Sequence, residues 1–376
     1  MNILIPVASG IEAAAKREIE RMGLGHAPAV RGRIELEGGW ETVARLNVFL
    51  RAGERVLLEI GRIRAETFDE LFDGTQALPW EEYLSAHTKI LIDGKSFKSK
   101  LAAIKAAGGV VKKAIVSRLK EKLRVATLDE SGERAVVGVS IFEDVATLTL
   151  DTSGDGLHKR GYRVLSYDAP LRETTAAAII EDSFYRREKA FSDPFCGSGT
   201  LPIEAALYAR GIAPGKSRTF DFERWKCTPK GAIARAKEEA VASEFHGEIA
   251  PIYASDLSPR AVSIAKEHAK RANVLKDIRF TAGDMRNFSA QERCGVLISN
   301  PPYGERMEAG EDLFPLYRDF AHMVKRLPDW SAYVISAYEG CERAFGRPDK
   351  RRILYNANLK CSLLAFFGKK PKNPRI

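Results

Sequence analysis

From about residue 170 onward, short apolar runs alternate with longer stretches in which apolar residues recur at helical spacing. The short runs are Ala190–Ser192, Ile252–Ser255, Ile278–Ala282, Gly295–Ser299 and Trp330–Ala337. Two later runs, Arg352–Tyr355 and Cys361–Phe367, follow each other without a helix between them, which predicts an antiparallel pair. Strands that alternate with helices form a parallel sheet covered on both faces. The pattern therefore predicts a doubly wound α/β domain.

The first 155 or so residues have a different pattern, in which strands and helices are less regularly interleaved. The predicted elements are strands at Asn2–Val7, Ile34–Leu36 and Val56–Ile60, helices at Gly10–Met22 and Trp40–Leu50, and a hairpin of Arg134–Phe142 with Val145–Asp151 that turns at Glu143-Asp144. This part reads as an α+β fold. The glycine-rich and charged segment 151–162 predicts a domain boundary.

Composition narrows the class of protein. Of 376 residues, 45% are hydrophobic and 29% are charged, a balance that excludes wholesale disorder. No apolar run approaches the about 20 residues that a membrane helix needs, and the N-terminus lacks a signal-peptide pattern. The five cysteines are not spaced as CxxC pairs, so we expect neither disulfides nor a metal site. We expect a soluble cytoplasmic protein.

The net charge of +9 is concentrated in one segment, Lys95–Arg124, which contains ten basic residues and one acid. Ile104, Val111, Ile115 and Leu119 share one helical face of it, and we expect Gly108-Gly109 to interrupt the helix. Such a segment is either a solvated helix face or a grip on the phosphate backbone of a nucleic acid. We favour binding to a phosphate backbone because basic residues outnumber acidic residues so strongly in this segment.

Polar residues follow the first three strands of the predicted α/β domain, at the sheet edge where such folds bind ligands. Asp193–Thr200 (DPFCGSGT) has two close glycines but neither GxGxxG nor GK[ST], which favours a ligand without a pyrophosphate. Asp256 is placed to accept ribose hydroxyls, and Asp284 with Met285 to meet an adenine ring. Taken singly, these residues are equally compatible with turns and helix caps.

The fourth strand ends in the most specific motif, Asn300-Pro301-Pro302-Tyr303. Two prolines fix φ and remove two donors, so the turn is rigid. The Asn300 amide oxygen and nearby carbonyls then form a fixed set of acceptors, and Tyr303 offers a flat face. Such a set fits the exocyclic amino group of a flipped base.

These motifs resemble those of class I S-adenosylmethionine-dependent amino-methyltransferases, and within them the bacterial THUMP-containing 23S rRNA guanine-N2 type. The matching segments are Arg160–Arg163 (RGYR), Ala169–Thr174 (APLRET), DPFCGSGT and the following Ile203–Ala206, Ser255-Asp256, Gly283-Asp284, and NPPYGER from Asn300. The stretch between Leu207 and Pro251 resembles that family's insertion, and Phe72–Gly74 with the basic helix resembles a THUMP module.

The resemblance implies a seven-stranded, mostly parallel sheet with an antiparallel last strand, preceded by ferredoxin-like and THUMP domains. It implies boundaries of 1–58, 59–155 and 156–376 for the three domains. S-adenosylmethionine would be the cofactor and structured RNA, 23S rRNA or a ribosomal precursor, the partner. From the charge of the basic segment, the residues expected to bind RNA are Lys95, Lys98, Lys100, Lys112, Lys113 and Arg118.

The resemblance also implies roles at the catalytic site. The methionine part of the cofactor would contact Asp193, Phe195, Gly197 and Gly199. The ribose of the cofactor would contact Asp256, and its adenine would contact Asp284 and Met285. A segment that covers the cofactor would supply Pro170, Arg172 and Thr174. The target amine would be held by Asn300, Pro301, Pro302 and Tyr303. Because the sulfonium methyl is already activated, we expect direct in-line transfer without a metal or a cysteine nucleophile, and Cys196 as a packing residue.

Three alternatives stay open on the sequence alone. The same motif serves tRNA guanosine, nucleic-acid adenine N6 and protein glutamine methyltransferases. A noncatalytic RNA-binding assembly factor with a vestigial fold is disfavoured because Asp193, Gly197, Asp256 and Asn300 are intact. A nicotinamide enzyme is disfavoured by the glycine spacing. The sequence does not identify the modified nucleotide or the oligomeric state.

Overall fold

The computed structural model describes residues 1–30, 32–165, 171–303, 312–356 and 359–369. Its contacts divide the chain into two compact units that are not collinear with the sequence. The first unit comprises Met1–Pro6, Ile19–Leu157 and Gly215–Glu239, and the second comprises Val7–Glu18, His158–Pro214 and Ala240–Ile376. The segment from Gly215 to Glu239, inside the predicted catalytic domain, therefore clusters with the N-terminal part of the chain.

The strands and helices have the following bounds. The strands are β1 Asn2–Pro6, β2 Ala29–Val30, β3 Arg33–Glu37, β4 Leu57–Arg64, β5 Lys89–Phe97, β6 Arg134–Phe142, β7 Val145–Asp151, β8 Ala190–Asp193, β9 Ile252–Asp256, β10 Ile278–Ala282, β11 Gly295–Ser299, β12 Trp330–Ser336, β13 Lys350–Asn356 and β14 Leu359–Phe366. The helices are α1 Glu12–Arg21, α2 Trp40–Phe49, α3 Phe68–Ala77, α4 Ile104–Leu123, α5 Glu173–Asp182, α6 Thr200–Ala209, α7 Ala232–Ala242, α8 Pro259–Arg271, α9 Phe314–Lys325 and α10 Cys341–Phe345.

The first unit contains one continuous sheet with the strand order β2-β3-β1-β4-β7-β6-β5. Strand β4 joins its two halves, because it pairs with β1 through Leu57 and Leu58 and with β7 along its whole length. All neighbours are antiparallel except β5 and β6. The predicted hairpin turn at Glu143-Asp144 is confirmed: both residues have positive φ, as a tight two-residue hairpin requires.

The predicted break at Gly108-Gly109 is wrong, because α4 runs without interruption through both glycines. A Cβ atom on Gly108 would lie 3.0 Å from Cγ2 of Ile92 on β5, so the missing side chain allows the helix to approach the sheet closely. The predicted apolar face is otherwise correct, since Val111, Ile115 and Leu119 are buried. Packing of this face on the sheet outweighs the low helix propensity of two glycines.

The second unit contains a seven-stranded sheet with the order β10-β9-β8-β11-β12-β14-β13. Strands β8 to β12 run parallel to one another, and β14 runs antiparallel to both β12 and β13. The predicted doubly wound sheet with an antiparallel last strand is confirmed. A core of large apolar side chains, among them Leu297, Tyr317, Phe320 and Trp330, packs between this sheet and α9. Among the described residues, no helix is long and apolar enough to cross a membrane.

Candidate active site

The glycine-rich loop after β8 is held against the end of β9 by backbone hydrogen bonds. The Cys196 amide donates to the Ser255 carbonyl at 2.9 Å, and the Gly197 amide donates to Oδ2 of Asp256 at 2.9 Å. Gly199 precedes α6 with φ of +88°, and a Cβ atom there would lie 2.9 Å from Cβ of Ala265. The loop thus needs glycine both for its backbone conformation and for its close approach to α8.

Asp193 ends β8 as a buried carboxyl group. Its Oδ1 accepts hydrogen bonds from Oγ of Ser299 at 2.6 Å and from the Phe195 amide at 3.1 Å. Burial raises the pKa of Asp193 to about 7, although the Ser299 and Phe195 hydrogen bonds favour the ionised form. A cationic group of a ligand beside this carboxyl would stabilise the carboxylate, as the methionine ammonium of the implied cofactor would.

Asp256 ends β9, where each of its carboxylate oxygens accepts one backbone hydrogen bond. The donors are the Gly197 amide and the Ser258 amide, both at 2.9 Å. Each oxygen keeps a further lone pair. The side chain is therefore fixed in position and can still accept the two hydroxyls of a ribose.

Asp284 and Met285 follow β10 but face different surroundings. Oδ1 of Asp284 accepts from the Arg286 amide at 2.8 Å, and about one third of the Asp284 side chain is exposed (34%). Met285 is buried in the core cluster with Leu297 and Trp330. Asp284 is therefore accessible to a ligand, whereas Met285 is buried below this edge of the sheet.

Asn300 follows β11, and its amide oxygen is a buried acceptor. Among the described residues, Oδ1 of Asn300 is shielded from solvent and accepts no hydrogen bond. The great majority of buried polar atoms in folded proteins are paired, so an orphan acceptor calls for an explanation. Its place next to Ser299, which bonds to Asp193, puts it at the same sheet edge as the glycine-rich loop.

The two prolines after Asn300 are anchored from α9. The Tyr317 hydroxyl donates to the Pro302 carbonyl at 3.2 Å and lies 2.7 Å from Oγ of Ser336 at the end of β12. Tyr303 is 3% exposed, and its hydroxyl lies 3.6 Å from Sγ of Cys361. The turn is therefore rigid, as the prolines predict, but in this structure the Tyr303 ring is covered. Residues 304–306 of the motif lie outside the described residues.

A buried charged network supports the segment before α5. Its members lie in the matching sequence segments, but the sequence did not predict their contacts with one another. Arg163 donates to the Leu171 carbonyl at 3.0 Å and to Oγ1 of Thr200 at 2.7 Å, and it pairs with Glu173 at 3.4 Å. Burial raises the pKa of Glu173. Of the predicted covering residues, Arg172 is the exposed N-cap of α5, Thr174 is buried, and Pro170 lies outside the described residues.

His268 of α8 is a residue that sequence reasoning missed. Its Nδ1 lies 3.0 Å from the Ser198 carbonyl, and its Nε2 accepts from the Leu165 amide at 3.3 Å. Burial lowers the pKa of His268, which favours the neutral ring that this pair of contacts requires. The available signal was its spacing, since His268 continues the apolar face of Ala261, Ile264 and Ala265.

Four features together define a class I methyltransferase. They are a doubly wound sheet with an antiparallel last strand, a glycine-rich loop after the first strand of that sheet, a carboxylate after the second strand and the NPPY motif after the fourth. Residues 160–365 match the family described as RMKL-like methyltransferase domain, residues 2–57 match the RlmL ferredoxin-like domain, and residues 65–151 match the THUMP domain. The chain belongs to the RMKL-like methyltransferase family, which places it among RNA methyltransferases, and its cofactor is S-adenosylmethionine.

Curated relatives agree with this assignment. The protein named "Putative RNA methyltransferase YpsC" of Bacillus subtilis is 37% identical over 98% of this chain and 96% of its own length. "Ribosomal RNA large subunit methyltransferase K/L" of Psychromonas ingrahamii is 31% identical over 100% of this chain. The chain spans about half the length of that larger relative (51%).

Two solved structures share the whole fold. "SMU.472, a putative methyltransferase complexed with SAH" has a TM-score of 0.94 and 36% identity, and covers 99% of both chains. A structure titled "predicted N6-adenine-specific DNA methylase" from Listeria monocytogenes has a TM-score of 0.92 and 40% identity, and covers 98% of this chain and 96% of its own.

Proposed function

We propose that this chain transfers the methyl group of S-adenosylmethionine to the exocyclic N2 amino group of a guanosine in 23S rRNA. The observation that carries the proposal is the orphan acceptor, Oδ1 of Asn300, at the sheet edge that also holds Asp193. An amino group that donates to this oxygen directs its nitrogen lone pair toward the cofactor. The names of the K/L relatives support rRNA as the substrate.

We assign the cofactor to the residues that the sequence implied. When bound, S-adenosylmethionine supplies an activated methyl group. Asp193, Phe195, Gly197 and Gly199 position its methionine part, Asp256 holds the ribose, Asp284 and Met285 lie on the adenine side, and Pro170, Arg172 and Thr174 cover it. Because Asp256 and Asp193 are held by hydrogen bonds before any ligand binds, little reorganisation is needed.

The same proposal gives the four motif residues separate tasks. Asn300 accepts from the target amine, Pro301 and Pro302 keep the turn rigid, and the Tyr303 ring contacts the base. Since Tyr303 is 3% exposed, we expect its ring to become accessible when the substrate binds. No residue acts as a strong base, because the amine loses its proton during or after attack.

For RNA binding, the structure separates the six basic residues into two groups. Lys100 pairs with Glu66, Lys112 with Glu130 at 2.7 Å, and Arg118 with both oxygens of Glu81 at 2.7 and 2.9 Å. Lys95, Lys98 and Lys113 form no ion pair within the described residues. We propose that these three make the first phosphate contacts, since the others must first give up a carboxylate.

The experiment that tests the function incubates the full chain with labelled S-adenosylmethionine and 23S rRNA transcript, followed by mass spectrometry of the nucleosides. The expected product is N2-methylguanosine. N6-methyladenosine, or methylation of tRNA in place of rRNA, would support one of the other amino acceptors. The name of the similar Listeria monocytogenes protein, a predicted N6-adenine-specific DNA methylase, makes adenine the first of these. Absence of cofactor binding in calorimetry would support the noncatalytic assembly factor.

A further inference from the structure

Phe97, the last residue of β5, is an exposed aromatic ring in the first unit. Its side chain is 62% exposed, against 37% for Leu91 on the same face of the same strand. Strand β5 lies at the edge of the sheet, and Phe97 pairs in register with Phe142 of β6. The two rings lie nearly parallel, with 6.1 Å between centroids and 17° between planes. One ring thus supports the other, and Phe97 keeps most of its surface in solvent.

The backbone beneath this ring is fixed by hydrogen bonds to the neighbouring hairpin turn. The Phe97 carbonyl accepts from Oγ of Ser99 at 3.0 Å and from the Glu143 amide at 3.4 Å. The Asp144 amide donates to Oγ of Ser99 at 3.1 Å, and Oδ1 of Asp144 accepts from the Lys100 amide at 2.8 Å. The ring is therefore held in place before any partner arrives, which reduces the entropy lost on binding.

One cation lies over the Phe97 ring, and a second lies on the same face of the strand. Nζ of Lys98 lies 5.6 Å from the Phe97 centroid, and Lys95 is two residues earlier on the same exposed face. Neither lysine forms an ion pair within the part of the chain that the structure describes. Two nearby acids are already engaged: Glu66 pairs with Lys100, and Asp144 accepts the Lys100 amide.

We propose that Phe97 is a stacking platform for an unpaired RNA base, with Lys95 and Lys98 on the adjacent phosphates. The inference rests on the proposed RNA substrate and extends it to the form of RNA that is bound. An aromatic face beside cations is the arrangement that binds single strands, because every base has a face to stack. Bases within a duplex keep their faces covered by their neighbours, so a duplex gains only the phosphate contacts.

The test compares binding of the full chain to a 12-nucleotide single-stranded RNA and to a duplex of equal length. Wild type is expected to prefer the single strand. Phe97→Ala should weaken single-strand binding by about 5- to 150-fold and leave duplex binding unchanged, since stacking on one aromatic ring has about that effect. Phe97→Trp should retain the preference. Leu91→Ala is the matched control on the same strand and should change neither.

A 5-iodouridine in the single strand provides a direct readout, because it crosslinks to aromatic rings on irradiation. The expected adduct lies on the peptide that contains Phe97. If wild type and Phe97→Ala bind the single strand with equal affinity and have the same circular dichroism, Phe97 is not a stacking platform. The proposed methyl transfer would not be affected by that result. Failure of wild type to bind either RNA would overturn both the platform and the proposed RNA substrate.

Discussion

At the scale of single residues, the catalytic part of the site depends on acceptors that are positioned without ligand. Asp193 and Asp256 accept hydrogen bonds from elements far away in sequence, whereas Oδ1 of Asn300 is buried and accepts none among the described residues. This contrast separates their proposed roles. We propose that the two carboxylates hold the cofactor, whereas the unmet hydrogen-bonding capacity of Asn300 serves the reacting group.

Replacing Asn300 with alanine should therefore abolish methyl transfer, with a loss of at least about 100-fold in turnover, as for removal of other reactive-site hydrogen bonds. Cofactor affinity should stay within about twofold. The measurements are single-turnover methyl transfer and calorimetry with S-adenosylmethionine. An equal loss in both would mean that Asn300 supports the cofactor site and not the target amine.

Asp193 predicts a pH dependence of cofactor binding. Its pKa of about 7 in the free protein means that the carboxyl holds a proton below that pH. A bound ammonium favours the carboxylate, so binding below pH 7 must release the proton, and affinity should fall as the pH drops from 8 to 6. Calorimetry across this range would show it. Asp193→Asn should bind weakly with a flat profile, and a flat profile in wild type would contradict the assignment.

At the scale of elements, α4 shows how packing decides between two local tendencies. Paired glycines favour a break, yet the helix continues because Gly108 lies against Ile92. Within the described part of the chain, no atom lies within 4 Å of the position that a Cβ atom on Gly109 would occupy. The two glycines are therefore not equivalent: one serves a close contact, and the other only lowers helix propensity.

We expect Gly109→Ala to raise the free energy of unfolding by about 0.5–1 kcal/mol, because alanine loses less backbone entropy in a helix. Gly108→Ala gains the same entropy but pushes its methyl group to 3.0 Å from Ile92, so it should be less stable than Gly109→Ala. Urea unfolding of both variants measures the difference. A greater stability for Gly108→Ala would contradict the close packing.

At the scale of the whole molecule, we expect the net charge of +9 to favour RNA binding through those lysines that are not already paired. Neutralising Lys112 and Lys113 together should weaken RNA binding and flatten its salt dependence. The two lysines should contribute unequally to RNA binding. Lys112 pairs with Glu130, whereas Nζ of Lys113 lies 6.0 Å from the Phe72 centroid and forms no ion pair among the described residues.

Lys113→Gln alone should therefore lower the slope of log affinity against log salt by about 0.7–0.9, the value of one phosphate contact, and Lys112→Gln should lower it less. Titrations of RNA binding at several salt concentrations measure both slopes. Lys276→Gln, an exposed lysine in the second unit, is the control and should leave the slope unchanged. If the salt dependence of RNA binding has the same slope for Lys113→Gln and for wild type, the basic segment is a solvated helix face that does not contact RNA.

Much of the fold was determined by the sequence alone, because strands and helices of the second unit follow local periodicity. The five parallel strands, the antiparallel pair and the residues after each strand all lie where the pattern predicts. Strand β5 was missed, since Asp93, Gly94 and Lys95 interrupt its apolar alternation. Hydrogen bonding to β6 stabilises this strand despite the interrupted alternation. A local sequence pattern does not predict which strands pair.

Only the tertiary structure decided which predicted residues are available for chemistry. Among the described residues, it left Oδ1 of Asn300 without a hydrogen bond, covered Tyr303, buried Met285, paired Arg118 with Glu81, and brought His268 to the glycine-rich loop. It also grouped residues 215–239 with the N-terminal sheet. The physical reason is common to all of these: burial and hydrogen bonding depend on neighbours that are distant in the chain, whereas residue type and spacing are local.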